Sequence, residues 1–347
     1  MTPRSPTIRM VAERAGVSLA TVSNVLNGKP SVSPDYAARV MEAVEALGYV
    51  PDLAASRLRS GKAALAGVVV PDLGNPMFAR FVSVLEHVAR EDGFDLVVVS
   101  SRNDPAEEAD RLANIRAWRP SGVIVLPCDG ALAARLPAGW TAPIVVADRI
   151  PDDGRFDLVA VDNGPAAAQV TRHLAGAGCR TCLVVATSLA ISNMRERWEG
   201  AQVGAGAMEL ALAEVGDDPA SGVARLSGRL SGTGRPDALF ALEQMTSLAL
   251  YPLLGSLGLV VPADIAYASF DEMEWMRLVT PPLTAARQPV EAMAQAAWTR
   301  LRARMAGDAG PPATIRLACT VTLRGSTPPA ASPGPALTPS GSGRHRP

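Results

Sequence analysis

Apolar positions in the first fifty residues recur at helical spacing. Val11, Ala15, Val22, Val25, Leu26, Val40, Val44 and Leu47 would line one small core. Thr7 can cap a helix from Ile8 to Ala15, and Gly16 ends it. Ser18 caps a second helix through Leu26, and 27–33 reads as a polar loop. Ser33 followed by Pro34 opens a third helix that ends near Gly48. Two helices joined by so tight a turn at Gly16 and Val17 predict helix-turn-helix geometry. Residues 51–62, with the run AASRLRSGK, form a short, basic, helix-compatible linker.

From Leu65 the period changes. LAGVVVP, FDLVVVS, GVIVLP and APIVVAD read as buried strands, with helices over 77–91 and 105–118. After VAVDN a second series begins: a helix over 165–175, the strand TCLVVAT, and a helix from Asn193. DALFAL, a helix to Leu257, DIAYASF and a helix over 290–305 follow. Apolar strands alternating with helices predict parallel sheets covered on both faces. The chain thus divides into a helical head at 1–50, a linker at 51–62, and a two-lobed α/β body at 63–325. Lobe 1 is expected over 63–161 plus 289–320, and lobe 2 over 162–288. The Pro-, Ser- and Gly-rich tail at 326–347 is expected to be disordered.

Charge sharpens this division. Eight basic and five acidic residues lie in 1–62, so a mildly basic head sits on an acidic body although the whole chain carries −1. No run of eighteen apolar residues occurs, and the opening segment has no apolar stretch long enough for a secretory signal. That places the protein in the cytoplasm, away from membranes. Cys179 and Cys182 form a C-x-x-C without a second pair, and the three histidines are scattered. Cys182 therefore reads as a small apolar strand residue and Cys179 as a loop residue, and no metal or cofactor is expected. An enzyme reading finds no G-x-S-x-G, no H-E-x-x-H and no P-loop lysine.

The run TIRMVAERAGVSLATVSNVLNG, continued by VSPDYAARVMEAVEALGYVPDLAASRLRSGK, resembles the DNA-binding head of the lactose-repressor (LacI/GalR) family. In the body, GVVVPDLGNPMF, VVADR, VAVDN, RERWEG, GLVVPADIAYASFDE and PPLTAARQPV follow in family order. The resemblance implies a repressor that binds a pseudo-palindromic operator as a homodimer and answers to a small-molecule effector, a sugar or sugar derivative. Its second helix would enter the major groove, with Leu19, Ala20 and Asn24 as base readers and Thr21 and Ser23 on phosphates. Asn24 can pair bidentately with adenine, whereas Leu19 and Ala20 offer apolar contact, for example to a thymine methyl. The bland alternative makes Leu19 and Ala20 core residues. Thr7 and Asn27 are further backbone contacts. In the linker the resemblance implies a hinge helix whose Leu58, flanked by Arg57, wedges into the minor groove; a plain flexible linker is the alternative.

The body resembles a periplasmic-binding-protein fold closing on a ligand in its interlobe cleft, beyond the carboxyl ends of the strands. The matching positions are Met77, Phe78, Ser101, Asp148, Arg149, Asn193, Arg197, Gln244 and Asp271. Carboxylates and amides on an apolar floor suit a polyhydroxyl ligand, because each hydroxyl both donates and accepts. Trp275 either stacks on a sugar ring or packs within its lobe. The chain departs from the family at Glu243–Gln244, where relatives carry Asn-Asp, and at Ile191, where some place a basic contact. The second departure argues against a strongly anionic effector held by that route.

Overall fold

The computed structural model describes residues 6–26, 32–49 and 65–329, and it divides into two compact units before and after Leu65. In the first unit, α1 (Ile8–Ala15), α2 (Leu19–Leu26) and α3 (Pro34–Leu47) surround Val11, Val22 and Val40, all fully buried. The turn between α1 and α2 needs a left-handed residue, and Gly16 supplies it at φ 63°. Arg39 of α3 then reaches across to donate to the Ala15 carbonyl at 2.6 Å, capping the end of α1. Thr7 Oγ1 accepts from Met10 N and Ser18 Oγ from Thr21 N, as their cap positions require. Ser33 differs from expectation: it stands at the N-cap of α3 but makes no side-chain cap bond. Pro34, with its fixed φ at the first helical position, opens that helix without it. The linker at 51–62, Asn27, and the tail beyond 329 lie outside the described residues.

The second unit holds two six-stranded sheets. The first runs β2 (Asp95–Ser100), β1 (Leu65–Val70), β3 (Gly122–Val125), β4 (Ile144–Ala147), β5 (Asp157–Val161) and β11 (Thr314–Leu317), all parallel. The second runs β7 (Glu209–Glu214), β6 (Thr181–Ala186), β8 (Ala238–Ala241), β9 (Ala266–Phe270), β10 (Thr284–Arg287) and β12 (Thr320–Thr322). Only β12 is antiparallel, against β10. Helices α4 (Pro76–Glu91) and α13 (Val290–Met305) cover one face of the first sheet and α5 (Pro105–Ala117) the other. On the second sheet, α7 (Asn163–Gly176) and α8 (Ser192–Ala205) share one face, while α11 (Gln244–Ser256) lies on the opposite one. This is the doubly wound, two-lobed architecture that the alternating pattern predicts.

Strands β7, β10, β11 and β12 escape the sequence reading, because they are short, half-exposed or rich in alanine and polar residues. Their placement corrects two boundaries. The chain crosses between lobes three times, after β5, after β10 and between β11 and β12. Thr320, expected at the end of the first lobe, therefore opens a strand of the second. Ser326 and Thr327 are not tail either; both are buried. Ser326 Oγ donates to the Tyr267 carbonyl at 2.6 Å and accepts from Thr284 N, while Thr327 Oγ1 bonds His173 Nε2 at 2.8 Å. Short polar residues settle there because β9 and β10 leave backbone groups to be satisfied.

Helices α7 and α8 touch through glycine. A Cβ at Gly200 would stand 2.1 Å from the Gly164 carbonyl oxygen, and one at Gly204 2.1 Å from that of Ala168. Replacing Gly200→Ala must force the two backbones apart. We expect a loss of roughly 1–3 kcal/mol, seen as a lower urea midpoint at unchanged m-value.

Candidate functional site

The carboxyl ends of the strands in both lobes converge on a cavity of about 180 Å³. From the first lobe come Pro71 and Asp72 after β1, Met77 and Phe78 in the first turn of α4, and Asp148 and Arg149 after β4. From the second come Ile191, Asn193 and Met194 at the start of α8, Glu243 after β8 and Asp271 after β9. Asp148 and Asp271 hold matching places. Each follows the last residue of its strand in the left-handed region, at φ 68° and 60°, a strained conformation for a residue with a Cβ.

Arg197 is the electrostatic centre of the floor. Its side chain is fully buried and lies over the Phe270 ring with the guanidinium carbon 3.8 Å from the centroid. Nη1 donates to Asp271 Oδ2 at 3.0 Å and to the Leu242 carbonyl at 2.7 Å, and Nε donates to Asn163 Oδ1 at 2.8 Å. Gln288 Nε2 donates to the other Asp271 oxygen at 2.6 Å. Arg149 is also buried, and its Nη1 donates to Asn103 Oδ1 and to the Cys128 and Pro127 carbonyls. Several buried polar atoms nevertheless have no hydrogen-bond partner: Asp148 Oδ1, Asn193 Oδ1, Arg197 Nη2, Arg149 Nε and Gln288 Oε1. Native interiors rarely leave such groups unsatisfied. Three of them, on Asp148, Arg149 and Asn193, belong to residues lining the cavity, and leave it a wall complementary to a polar ligand.

Burial raises the Asp148 carboxyl above the ordinary carboxylate range; Arg197 and Arg149 pull it down, and the charge of Asp271 pushes it further up. Direct bonds also bridge the two lobes across the cleft. Asn193 Nδ2 donates to Asp148 Oδ2 at 3.1 Å, Ile150 N to Ser192 Oγ at 2.7 Å, and Gln244 Nε2 to Asn75 Oδ1 at 3.0 Å.

Of the residues expected from the sequence, Met77, Phe78, Asp148, Arg149, Asn193 and Asp271 line the cavity. Ser101, Arg197 and Gln244 stand behind them as support. Ser101 Oγ lies 3.1 Å from Cys128 Sγ, whose thiol burial pushes up to about 12. Trp275 is not brought in: it packs edge-to-face on Tyr251, centroids 5.7 Å apart, in the core on the α11 side of the second sheet. Of its two readings, the structure matches packing within the lobe. Asn75, Asn103, Glu243 and Asp217 were missed. Asn75 carried a legible signal, since Asn-Pro opens α4 and its Oδ1 caps Met77 N. Glu243 caps α11, its carboxylate accepting from Met245 N and Thr246 N. Cys182 is buried in β6 and Cys179 half-buried before it, both free thiols. Among the described residues no group of His, Cys, Asp or Glu could hold a metal ion, and no helix is long and apolar enough to cross a membrane.

In the head, Leu19 is 46% exposed and Ala20 is exposed, so neither belongs to the core that the bland reading assigned them. Thr21, Ser23 and Asn24 are half-buried along α2. Thr7 is the exposed cap of α1, while Asn27, Arg57 and Leu58 lie outside the described residues.

Residues 7–52 match the family model of bacterial regulatory proteins of the lacI family, and 171–327 match that of a periplasmic binding protein-like domain. The HTH-type transcriptional regulator PtxS of Pseudomonas putida is 32% identical over 93% of this chain and 96% of its own length. KdgR of Bacillus subtilis, another HTH-type transcriptional regulator, is 30% identical over 92% of this chain and 97% of its own length. The chain belongs to the lacI family of bacterial regulatory proteins. It is a DNA-binding transcriptional regulator with a periplasmic-binding-protein-like domain. Among solved structures, a lac repressor dimer bound to operator shares its fold, with TM-score 0.78 and 24% identity over 93% of this chain and 99% of the other. The regulator CelR in complex with cellobiose matches at TM-score 0.67 and 27% identity, covering 92% of this chain and 99% of the other.

For this lacI-family regulator the raised Asp148 carboxyl has a stability consequence. An unfolded aspartate ionises near about pH 4, whereas the folded one holds its proton to higher pH. Folding therefore becomes less favourable as pH rises from the unfolded value to the folded one, and the penalty is absent below both. Asp148→Asn should raise the urea midpoint at about pH 7. The difference from wild type should vanish as pH falls below about 4; a gap that persists there would refute the assignment.

Proposed function

We propose that this regulator is a repressor whose operator affinity is set by one polyhydroxylated small molecule, a sugar or sugar derivative, held in the interlobe cleft. The observation that carries the reading is the set of unpartnered buried atoms on Asp148, Asn193 and Arg149, all of which line the cavity. It offers acceptors and a donor at once, which is what vicinal hydroxyls need. At about 180 Å³ the cavity has room for roughly six waters, the size of a single sugar ring. The cellobiose complex of CelR supports the carbohydrate class. Ile191 on the wall gives an anion no basic partner at that position.

The head reads DNA through α2. Exposed Leu19 and Ala20 suit thymine methyls, Asn24 an adenine edge, and Thr7, Thr21, Ser23 and Asn27 the phosphates. Leu58 beside Arg57 enters the minor groove at the operator centre. Two copies bind a pseudo-palindrome. Leu248 on α11 and Leu278, 80% exposed at the end of α12 (Trp275–Leu278), are available to a second copy. Coupling between cleft and head of ~1–3 kcal/mol would change operator affinity roughly 5–150-fold.

The test is selection of bound duplexes from a random pool by the full chain, alone and with D-ribose, cellobiose, D-xylulose and a set of sugar acids. An enriched palindrome whose recovery one compound changes is the expected result. A palindrome indifferent to every sugar would sink effector control, and no enrichment would sink the head assignment. Asn24→Ala should lose discrimination at one base pair per half-site, worth ~1–3 kcal/mol. Equal weakening on all sequences would make Asn24 a phosphate contact instead.

A further inference from the structure

One polar chain connects the cleft floor to all three crossings between the lobes. Beside the first crossing, Asn163 opens α7 with a fully buried side chain. Its Oδ1 accepts from Arg197 Nε, and its Nδ2 donates to Glu196 Oε2 at 2.9 Å. Glu196 on α8 belongs to the second lobe. It receives both guanidinium ends of Arg316, at 2.8 Å each, from β11 of the first lobe. Arg316 also donates to the Val161 carbonyl at the first crossing. The third crossing is tied in by Cys319 N, which donates to Asp162 Oδ1 at 2.6 Å. The second is reached from the far side, since Gln288 donates to Asp271 and Asp271 accepts from Arg197.

Direction matters in this chain. Asn163 can accept from Arg197 only while its amide nitrogen faces an acceptor, and Glu196 is that acceptor. With Nε and Nη1 committed, the planar guanidinium has one orientation, and the unpartnered Nη2 is its remaining free end. Glu196 in turn is held by a two-point pair whose other half rides on the opposite lobe, so a change of lobe angle must pull on it.

We infer that Asn163 and Glu196 are positioning residues that orient Arg197 and, through it, Asp271 on the cavity wall, and that the Glu196–Arg316 pair couples this orientation to the lobe angle. The inference rests on the cleft being the effector site, but it is testable without any sugar. Hydrogen exchange would be followed by mass spectrometry on the full chain, comparing wild type with Glu196→Ala, Glu196→Gln and Arg316→Met. Glu196 and Arg316 are partly exposed, so these variants should fold.

Glu196→Ala should speed exchange over 268–288, beyond the Arg197–Asp271 link, by roughly two- to tenfold. Glu196→Gln keeps an oxygen for Asn163 and should recover most of that protection. Arg316→Met should loosen mainly 161–163 and 316–319. If the effect of Glu196→Ala stays within α8 and β11, or if the glutamine does no better than the alanine, the pair is a local strap and the inference falls. Neither result depends on the sugar selection, so the two readings fail separately.

Discussion

A guanidinium with no solvent exposure sits where the two lobes meet, and much of the second unit is arranged around its cost. Removing a charge from water is expensive, and the surroundings must return the lost solvation as hydrogen bonds and an opposite charge. Arg197 receives both, from Asp271, Asn163 and the Leu242 carbonyl, with the Phe270 ring beneath it. Those partners come from α7, the end of β8 and the end of β9. The cation therefore fixes the relative placement of three elements of the second lobe. Deleting one partner of such a buried pair typically costs about 3–5 kcal/mol because the other charge is stranded. The glycine contact between α7 and α8 belongs to the same arrangement, since without it Asn163 and Arg197 would be carried apart.

The cleft follows from this and from the sheets. Parallel strands present all their carboxyl ends on one edge, and two such edges facing each other make a cavity rimmed by loop residues. Asp148 and Asp271 occupy equivalent strained positions, one per lobe, but have different fates. Asp271 is fully engaged by Arg197 and Gln288, while Asp148 keeps one oxygen without a partner. One aspartate is thus tied into the fold, and the other keeps an unpartnered oxygen beside the cavity. Strain and unsatisfied polarity gather at this site, as they do where a fold gives up stability for binding. The core of the DNA-binding head is built separately, within the first unit. That small core of valines and alanines, closed by Arg39 on the end of α1, leaves the apolar Leu19 in solvent.

The local rules were legible along the chain. Thr7, Gly16, Ser18, Pro34 and Gly48 mark helix ends by backbone chemistry that needs no distant partner, and the helices of the head stand where those residues put them. Runs such as LAGVVVP are too apolar for anything but a buried strand, so the alternation of strand and helix, and with it the fold class, was readable. Of the residues picked out by the family motifs, Asp148, Asn193 and Asp271 line the cavity, and Arg197 stands behind them.

Tertiary structure decided the rest, because its causes lie far apart in sequence. Strands β10, β11 and β12 have too little apolar content to declare themselves; they are strands because neighbouring edges offer backbone partners, and they alone reveal the third crossing. Trp275 could not be placed from its nearness to Asp271 in the chain, since only the fold turns it toward Tyr251. Glu196 and Arg316, 120 residues apart, meet only when both lobes are formed. Periodicity and capping act over a few residues and can be read from a single sequence. Which buried charge finds which partner is a long-range choice, settled by the desolvation cost that only a packed interior imposes.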